Sequence, residues 1–381
     1  MSFRQSPITQ PAEATLQALL TGNHQPPATL RVAIDSGPLK SGDSVRGIGV
    51  HTKLLVEHLQ KIKDLKVDLF DFSTNHQSLT TNHYDLVHYQ KFHPYFLSFP
   101  LIKKAKSILT IHDLIYLIYP KHYPSGIRGK LVYWLQKVLV KKMDAIITIS
   151  ETSKKDIVRF LGIPAEKIFP IHLAPGEMFR PITNHLSLIT IQKKYGLPNS
   201  FVLYLGDVNY NKNLLTLCKA CKIAKTPLVI VGKQATDPNF DPSHPETQPL
   251  VKLLRQYGED KNIIRLGFLP DEDLVAVINL AGVYCQPSFY EGFGLPILQA
   301  FACGTPVVAS KIQAHVEVAG DACLYADPKN PRDFAKKISE VINDDGLRKE
   351  LIEKGKEKVK EYSWDKTARE TFRVYKKVAN D

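Results

Sequence analysis

The segment PSFYEGFGLPILQAFACGTPVVAS (287–310) gathers the residue types best suited to chemistry. An apolar run leads into Glu291, followed by a turn holding Gly292 and Gly294 and then by Pro296. Proline suits the first position of a helix, and Gly304 suits the position just past its end. The start of that helix then faces the carboxyl edge of the preceding strand, where parallel α/β sheets bind ligands. Free amides and the helix dipole at such a start favour a phosphate. Gly292 and Gly294 let the backbone approach closely. Glu291 adds an acceptor for ligand hydroxyls, and Gln299, one turn into the helix, can reach the same ligand.

Three further places extend this pattern. Lys212 stands in GDVNYNKN, after a strand and before a helix beginning near Asn213. A cation there neutralises a diphosphate and stabilises it as a leaving group while charge develops; the plain alternative is a solvated surface lysine. His112 ends the apolar strand SILTIH and precedes Asp113, a position from which an imidazole can face a cleft. The competing reading is a satisfied core histidine. Gly47 and Gly49 follow the first strand, with Arg46 beside them as a contact for phosphate or acceptor. Position 52 is Thr, so the full G-x-G-x-x-G is absent and no dinucleotide site is expected; a simple tight turn competes.

Other features carry less. Asp271-Glu272-Asp273 fits a D-x-D metal motif, but it follows Pro270 and precedes an apolar helical run, so acidic first-turn residues explain it better. Cys218 and Cys221 form a lone C-x-x-C inside a helix, with no second pair, and read as free thiols. His51 and His58 fall on a predicted helix and read as ordinary surface or packing residues. No metal ligand set is expected.

The elements that must hold these residues alternate strand and helix. Strands are predicted at 30–35, 67–72, 84–90, 107–113, 144–150 and 167–173, and again from 201–208 through 306–310. Helices between them imply parallel sheets covered on both faces. The expected division is an extension at 1–28, a first domain at 29–182, a connection at 183–199 and a second domain at 200–363. The helix 129–143 carries Arg128, Lys130, Lys137, Lys141 and Lys142 around an apolar side of Leu131, Trp134, Leu135 and Val138, with Lys103, Lys104 and Lys106 as further basic residues. That apolar side is expected to pack on the sheet, leaving a solvated basic face; contact with an anionic membrane surface is the alternative.

The chain has 381 residues, 44% hydrophobic and 23% charged, enough for two cores without a disulfide or metal staple. A net charge of +12 favours anionic partners. The basic residues are dispersed and no nucleic-acid module accompanies them, which ranks nucleic acid last. No apolar run reaches about 18 residues, the N-terminus lacks the pattern of a signal peptide, and five cysteines suit a reducing compartment. The expected location is cytoplasmic, with the inner membrane face as a place of peripheral contact.

The string E-G-F-G-L-P-x-L-x-A-x-A-C-G-T-P-V-V resembles the donor-site signature of glycosyltransferase family 4, and the similarity runs across roughly residues 30–378. GIGVHT (47–52), TIHDL (110–114), ITISETSKKDI (147–157), LGDVNYNKNL (205–214), LGFLPDEDL (266–274) and YSWDKTA (362–368) have counterparts in the same order, most like the bacterial mannosyltransferase-like branch. The resemblance implies the GT-B architecture, an α/β fold of two Rossmann-like parallel-sheet domains with a cleft between them. The helix 364–379 is then expected to cross back onto the first domain. It further implies a retaining, metal-independent transfer of a hexose, mannose favoured, from a GDP- or UDP-sugar to a glycan, lipid-linked or small-molecule acceptor, with no cofactor. Glu291, Lys212 and His112 would be catalytic. Gly47, Gly49, Gly206, Asn213, Phe268, Leu269, Gly292, Phe293, Gly294, Leu295 and Gln299 would bind the donor. Two departures stand out: Asp207 where many members carry a basic residue, and Gln299 where the signature ends in a second glutamate. They keep open a catalytically silent nucleotide-binding member or partner subunit; an epimerase or a phosphorylase on the same architecture fits the signature less well.

Overall fold

The computed structural model describes residues 29–40, 47–72, 84–102 and 105–381. The extension at 1–28, Arg46, Lys103 and Lys104 lie outside the described residues.

Two six-stranded sheets organise the chain. The first contains β1 (Leu30–Asp35), β2 (Leu65–Phe70), β3 (Leu86–Tyr89), β4 (Ser107–Thr110), β5 (Ala145–Thr148) and β6 (Ile168–Pro170), in the order β2-β1-β3-β4-β5-β6. The second contains β7 (Val202–Leu205), β8 (Leu228–Val231), β9 (Ile263–Gly267), β10 (Val283–Gln286), β11 (Val307–Ser310) and β12 (Leu324–Ala326), in the order β12-β11-β10-β7-β8-β9. Every pairing is parallel. Strands such as β4, β5, β8 and β11 are buried at all positions, as their unbroken apolar runs require when helices cover both faces.

In each sheet the strand order reverses once. The successor of β7 lies on one side and that of β10 on the other, so a crevice opens beyond the carboxyl ends of these two neighbours. The first sheet reverses in the same way between β1 and β3. Such switch points are where open α/β sheets bind ligands.

The helices that frame the crevices are α1 (Gly47–Leu59), α2 (Gly126–Leu139), α3 (Glu151–Leu161), α4 (His185–Lys194), α5 (Leu214–Ala224), α6 (Asp271–Leu280), α7 (Leu295–Ala302), α8 (Gln313–Ala319) and α9 (Trp364–Asn380). Helix α9 lies against the first sheet's half: Asp365 meets His58 at 2.6 Å, Tyr375 meets His88 at 2.6 Å, and Lys106 Nζ donates to the Ala379 carbonyl at 2.8 Å. One apolar cluster runs from Val32 and Leu55 through Ile149 and Phe293 to Leu203 and Tyr375, joining both halves.

Three expectations change. Gly47 and Gly49 lie within the first turn of α1 rather than in a turn between β1 and the helix. The connection 183–199 contains α4, capped by the Asn184 side chain, which accepts from the amides of Leu186 and Ser187. No residue of α4 is fully buried; Leu188 and Ile191 are half-buried and Ile191 packs at the edge of the core. The third change concerns α2. Its buried residues are Gly129, Gln136 and Leu139, while Leu131, Trp134, Leu135 and Val138 face outward. The apolar side expected to cover the sheet is on the opposite surface, because Gln136 turns inward to satisfy backbone groups of residues 93–98.

Candidate active site

The crevice between β7 and β10 is built from two short loops. β10 delivers Glu291 five residues past Gln286, and β7 delivers Lys212 from the turn before α5. Lys212 Nζ donates to both Glu291 carboxylate oxygens, at 2.9 and 3.0 Å. Glu291 Oε1 also accepts from Gln286 Nε2 at 2.8 Å and Ser288 Oγ at 2.6 Å. The hydroxyl of Tyr284 donates to Gln286 Oε1, which fixes the direction of that amide. Burial raises the Glu291 carboxyl, but Lys212, His315 and Ser288 outweigh it and hold the group below its ordinary range. Burial lowers Lys212, and Glu291 outweighs that, so the ammonium is held above its usual value. Both partners are charged, and the carboxylate is oriented before any ligand arrives.

The Lys212 loop is anchored from three sides. Asn213, in the left-handed region at φ 56°, donates from its amide to the Pro287 and Pro328 carbonyls at 2.8 and 2.7 Å. Its side chain is therefore committed to holding loops together, and its backbone bonds Tyr210 and Thr216. Gln234 Oε1 accepts from the Val208 amide at 2.6 Å. Asn211 donates to the Tyr290 carbonyl at 3.2 Å and accepts from Tyr123 across the cleft at 2.6 Å. Gly206 sits at the carboxyl end of β7, and the Tyr204 hydroxyl bonds the Asp207 carbonyl at 2.7 Å.

The glycine turn meets the first half directly. A Cβ on Gly292 would lie 2.9 Å from Asp113 Cβ and 3.2 Å from the His112 carbonyl oxygen, so only glycine lets the turn press onto the carboxyl end of β4. The Gly292 carbonyl accepts from Ser150 Oγ at 2.5 Å and Ser153 Oγ at 3.3 Å, at the start of α3. Glu317 on α8 reaches the same helix start, accepting from the amides of Glu151 and Thr152 at 2.7 and 3.1 Å and pairing with His172 at 3.0 Å. A carboxylate there suits the helix dipole and joins the two halves around the cleft. Gly294 adopts φ 109°, and a side chain on it would meet the His315 ring at 3.2 Å. Leu295 opens α7, so its amide has no intrahelical partner and borders the crevice.

His112 stands at the first half's edge of the same cleft. Neither ring nitrogen has a hydrogen-bond partner, and both are buried. Its pKa is pushed down to about 4 by burial, so the ring is neutral near pH 7. His51 of α1 packs against it edge-on, with ring centroids 4.7 Å apart. Burial, then the neighbouring His112 and His88, hold His51 well below its ordinary value, and its Nδ1 is also unpartnered. His51 is a packing residue, as expected, buried against the His112 and Trp364 rings and so beside the site. His58 is a packing residue, as expected, through Asp365.

The remaining candidates fall nearby or apart. Phe293 is buried, with its ring 5.7 Å from that of His172. Gln299 is half-buried on α7. Phe268 is exposed past the end of β9, while Leu269 belongs to the core. Asp271, Glu272 and Asp273 form the first turn of α6, and Asp273 accepts from Lys194 at 2.7 Å and from Tyr195. Cys218 and Cys221 are buried free thiols on α5. Sequence reading missed Gln286, Ser288, Gln234, His315 and Glu317. Their only sequence signal is a polar residue at or just past the end of an apolar strand, or an acid and a histidine within a helix.

Residues 190–358 match the family described as Glycosyl transferases group 1, and residues 58–174 match Glycosyltransferase Family 4. The O-antigen chain mannosyltransferase B of Escherichia coli is 30% identical over 280 residues, covering 71% of this chain and 70% of that protein. This chain belongs to glycosyltransferase family 4. The serotype-specific mannosyltransferase WbdA of Escherichia coli is 27% identical over 271 residues, 69% of this chain but only 32% of that longer protein. Among solved structures, sucrose-phosphate synthase from Thermosynechococcus elongatus superposes with TM-score 0.71 at 19% identity, covering 92% of this chain and 99% of that one. Anabaena Alr3699/HepE in complex with UDP-glucose gives TM-score 0.66 at 15% identity, covering 91% and 100%. At these identities the superpositions show the fold, which is GT-B. The chain is a glycosyltransferase similar in sequence to these mannosyltransferases, and Lys212, Glu291 and His112 lie around its cleft. Among the described residues no helix is long and apolar enough to cross a membrane.

Proposed function

We propose that the enzyme moves a hexose, mannose, from a nucleotide diphosphate sugar onto a glycan, lipid-linked or small-molecule acceptor, with retention and without a metal ion. The carrying observation is the charged Lys212–Glu291 pair at the switch point of the second sheet, with Gly292 seated on His112 and Asp113. A diphosphate fits between the Leu295 amide and Lys212, the cation that the leaving group needs. Glu291, oriented by Gln286 and Ser288, accepts hydroxyls of the sugar. Gln299 serves the ribose, and the backbone at Phe268–Leu269 serves the base. His112, neutral and without partners, hydrogen-bonds the transferred sugar at the reacting edge. In the step itself, the bond from the anomeric carbon to the diphosphate oxygen breaks. The acceptor oxygen bonds that carbon on the same face, and its proton passes to the departing diphosphate. The complexes of Anabaena Alr3699/HepE with UDP and UDP-glucose and the mannosyltransferase relatives support this reading. The intact Lys212–Glu291 pair favours an active enzyme over a silent nucleotide binder.

A thermal-shift screen with UDP, GDP and ADP, each with and without EDTA, tests it, followed by transfer from GDP-mannose. A GDP-specific rise in Tm that survives chelation is expected. Activity that vanishes with EDTA and returns with manganese would refute the metal-free mechanism; nucleotide binding without turnover would favour the silent reading.

A further inference from the structure

The inverted helix α2 is unusual among the elements of the fold. Ile127, Leu131, Trp134 and Val138 follow one another at helical spacing, and they are 81, 67, 64 and 59% exposed. A surface helix of a globular protein turns such a stripe inward. Here the inner side is Gly129, whose Cβ would lie 3.2 Å from Tyr95 Cβ, and Gln136, bonded to the His93 and Pro94 carbonyls at 2.7 and 3.1 Å. The loop held beneath the helix adds its own exposed apolar residues, Phe96, Leu101 and Ile102. Two segments linked through Gln136 therefore both expose large apolar side chains, of the kind that a partner covers.

Charge selects the partner. Between Leu86 and Met143 the chain has ten Lys and Arg residues and a single acidic one, Asp113, which is packed under Gly292 in the cleft. Lys137 lies 5.6 Å from the Trp134 ring, beside the apolar stripe. A second copy of the chain seated face to face would set positive against positive. Anionic lipid headgroups complement Arg128, Lys130 and Lys137 on the same helix, and a tryptophan next to lysine suits the boundary between headgroups and acyl chains. The segment leading into α2 touches the donor loop: His122 stacks on Tyr210 with centroids 3.4 Å apart, and Tyr123 bonds Asn211. A bilayer on this face thus borders the cleft.

We propose that the surface of α2 and residues 96–102 docks on an anionic lipid bilayer, with Ile127, Leu131, Trp134 and Val138 inserted at the headgroup boundary. The tryptophans are Trp134 and Trp364, and Trp364 is buried, so Trp134 is a built-in reporter. The test titrates the full chain with vesicles of phosphatidylglycerol and phosphatidylcholine, and with phosphatidylcholine alone, following tryptophan emission and co-sedimentation. A blue shift and co-sedimentation are expected with the anionic vesicles, falling at high salt. L131E with V138E should abolish both at unchanged Tm, and R128E with K130E should weaken partition at least about tenfold. No shift with anionic vesicles, binding indifferent to L131E/V138E, or a dimer in sedimentation velocity that L131E/V138E breaks without any vesicle binding would each overturn the proposal.

Discussion

The two edges of the cleft are wired in opposite ways. At the second sheet's switch point, Lys212, Gln286 and Ser288 all donate to Glu291, while Ser310 Oγ and His315 Nε2 behind them have no protein partner. At the first sheet's edge, buried polar atoms stand alone: both nitrogens of His112, Nδ1 of His51 and Oε1 of Gln90 have no partner. A satisfied network is oriented in advance and costly to break, whereas buried groups without protein partners are open to pairing with water or a ligand. The comparison assigns rigidity to the donor edge and unmet hydrogen-bonding capacity to the reacting edge.

The largest effect should come from the satisfied edge. Lys212→Ala is expected to lower kcat by about 10²–10³-fold, the scale of losing one charge-stabilising donor. It also strands a buried carboxylate and should cost about 3–5 kcal/mol of stability. Lys212→Met with Glu291→Gln should recover most of that stability by denaturant titration and none of the activity. A double variant that regains turnover would break the assignment.

At the other edge, stability and activity should part company. His112→Phe keeps ring volume and removes two unsatisfied atoms, so it should leave stability unchanged or raise it by about 1–3 kcal/mol while transfer falls about 100-fold. A marked loss of Tm would show that His112 is a structural residue.

Acid should expose the same contrast. Burial pushes the pKa of His88 down to about 3, and those of His112 and His315 down to about 4. Protons then bind the unfolded chain more readily than the folded one, so these residues withdraw stability as pH falls from about 6.5 towards 4. Asp35 and Asp113, raised by burial, act in the opposite sense at the lower end of that window. The clean readout is differential: His112→Phe should lose less Tm between pH 6.5 and 4 than the parent does. Equal losses would mean that His112 is accessible to protons.

The smallest effect should be Gln234→Ala, which frees the Val208 amide and loosens the Lys212 loop. A stability loss of about 1 kcal/mol with a higher KM for the donor and nearly unchanged kcat would fit a positioning role.

The residues themselves settled whatever is local. Apolar strand runs, Pro296 after Gly294 and the Asn-Lys turn after β7 each act within a few positions, so the parallel α/β class and the Glu291 and Lys212 loops were legible without coordinates. Periodicity finds an apolar stripe but cannot say which way it faces, and α2 shows this: Gln136 points inward while Leu131 and Leu135 face out. Tertiary structure alone decided that Gly292 sits on His112, that Ser150 holds the Gly292 carbonyl, and that His51 abuts His112. Those contacts join residues from about 60 to 180 positions apart. They depend on how two sheets and their helices come together, and no short-range propensity or spacing encodes that.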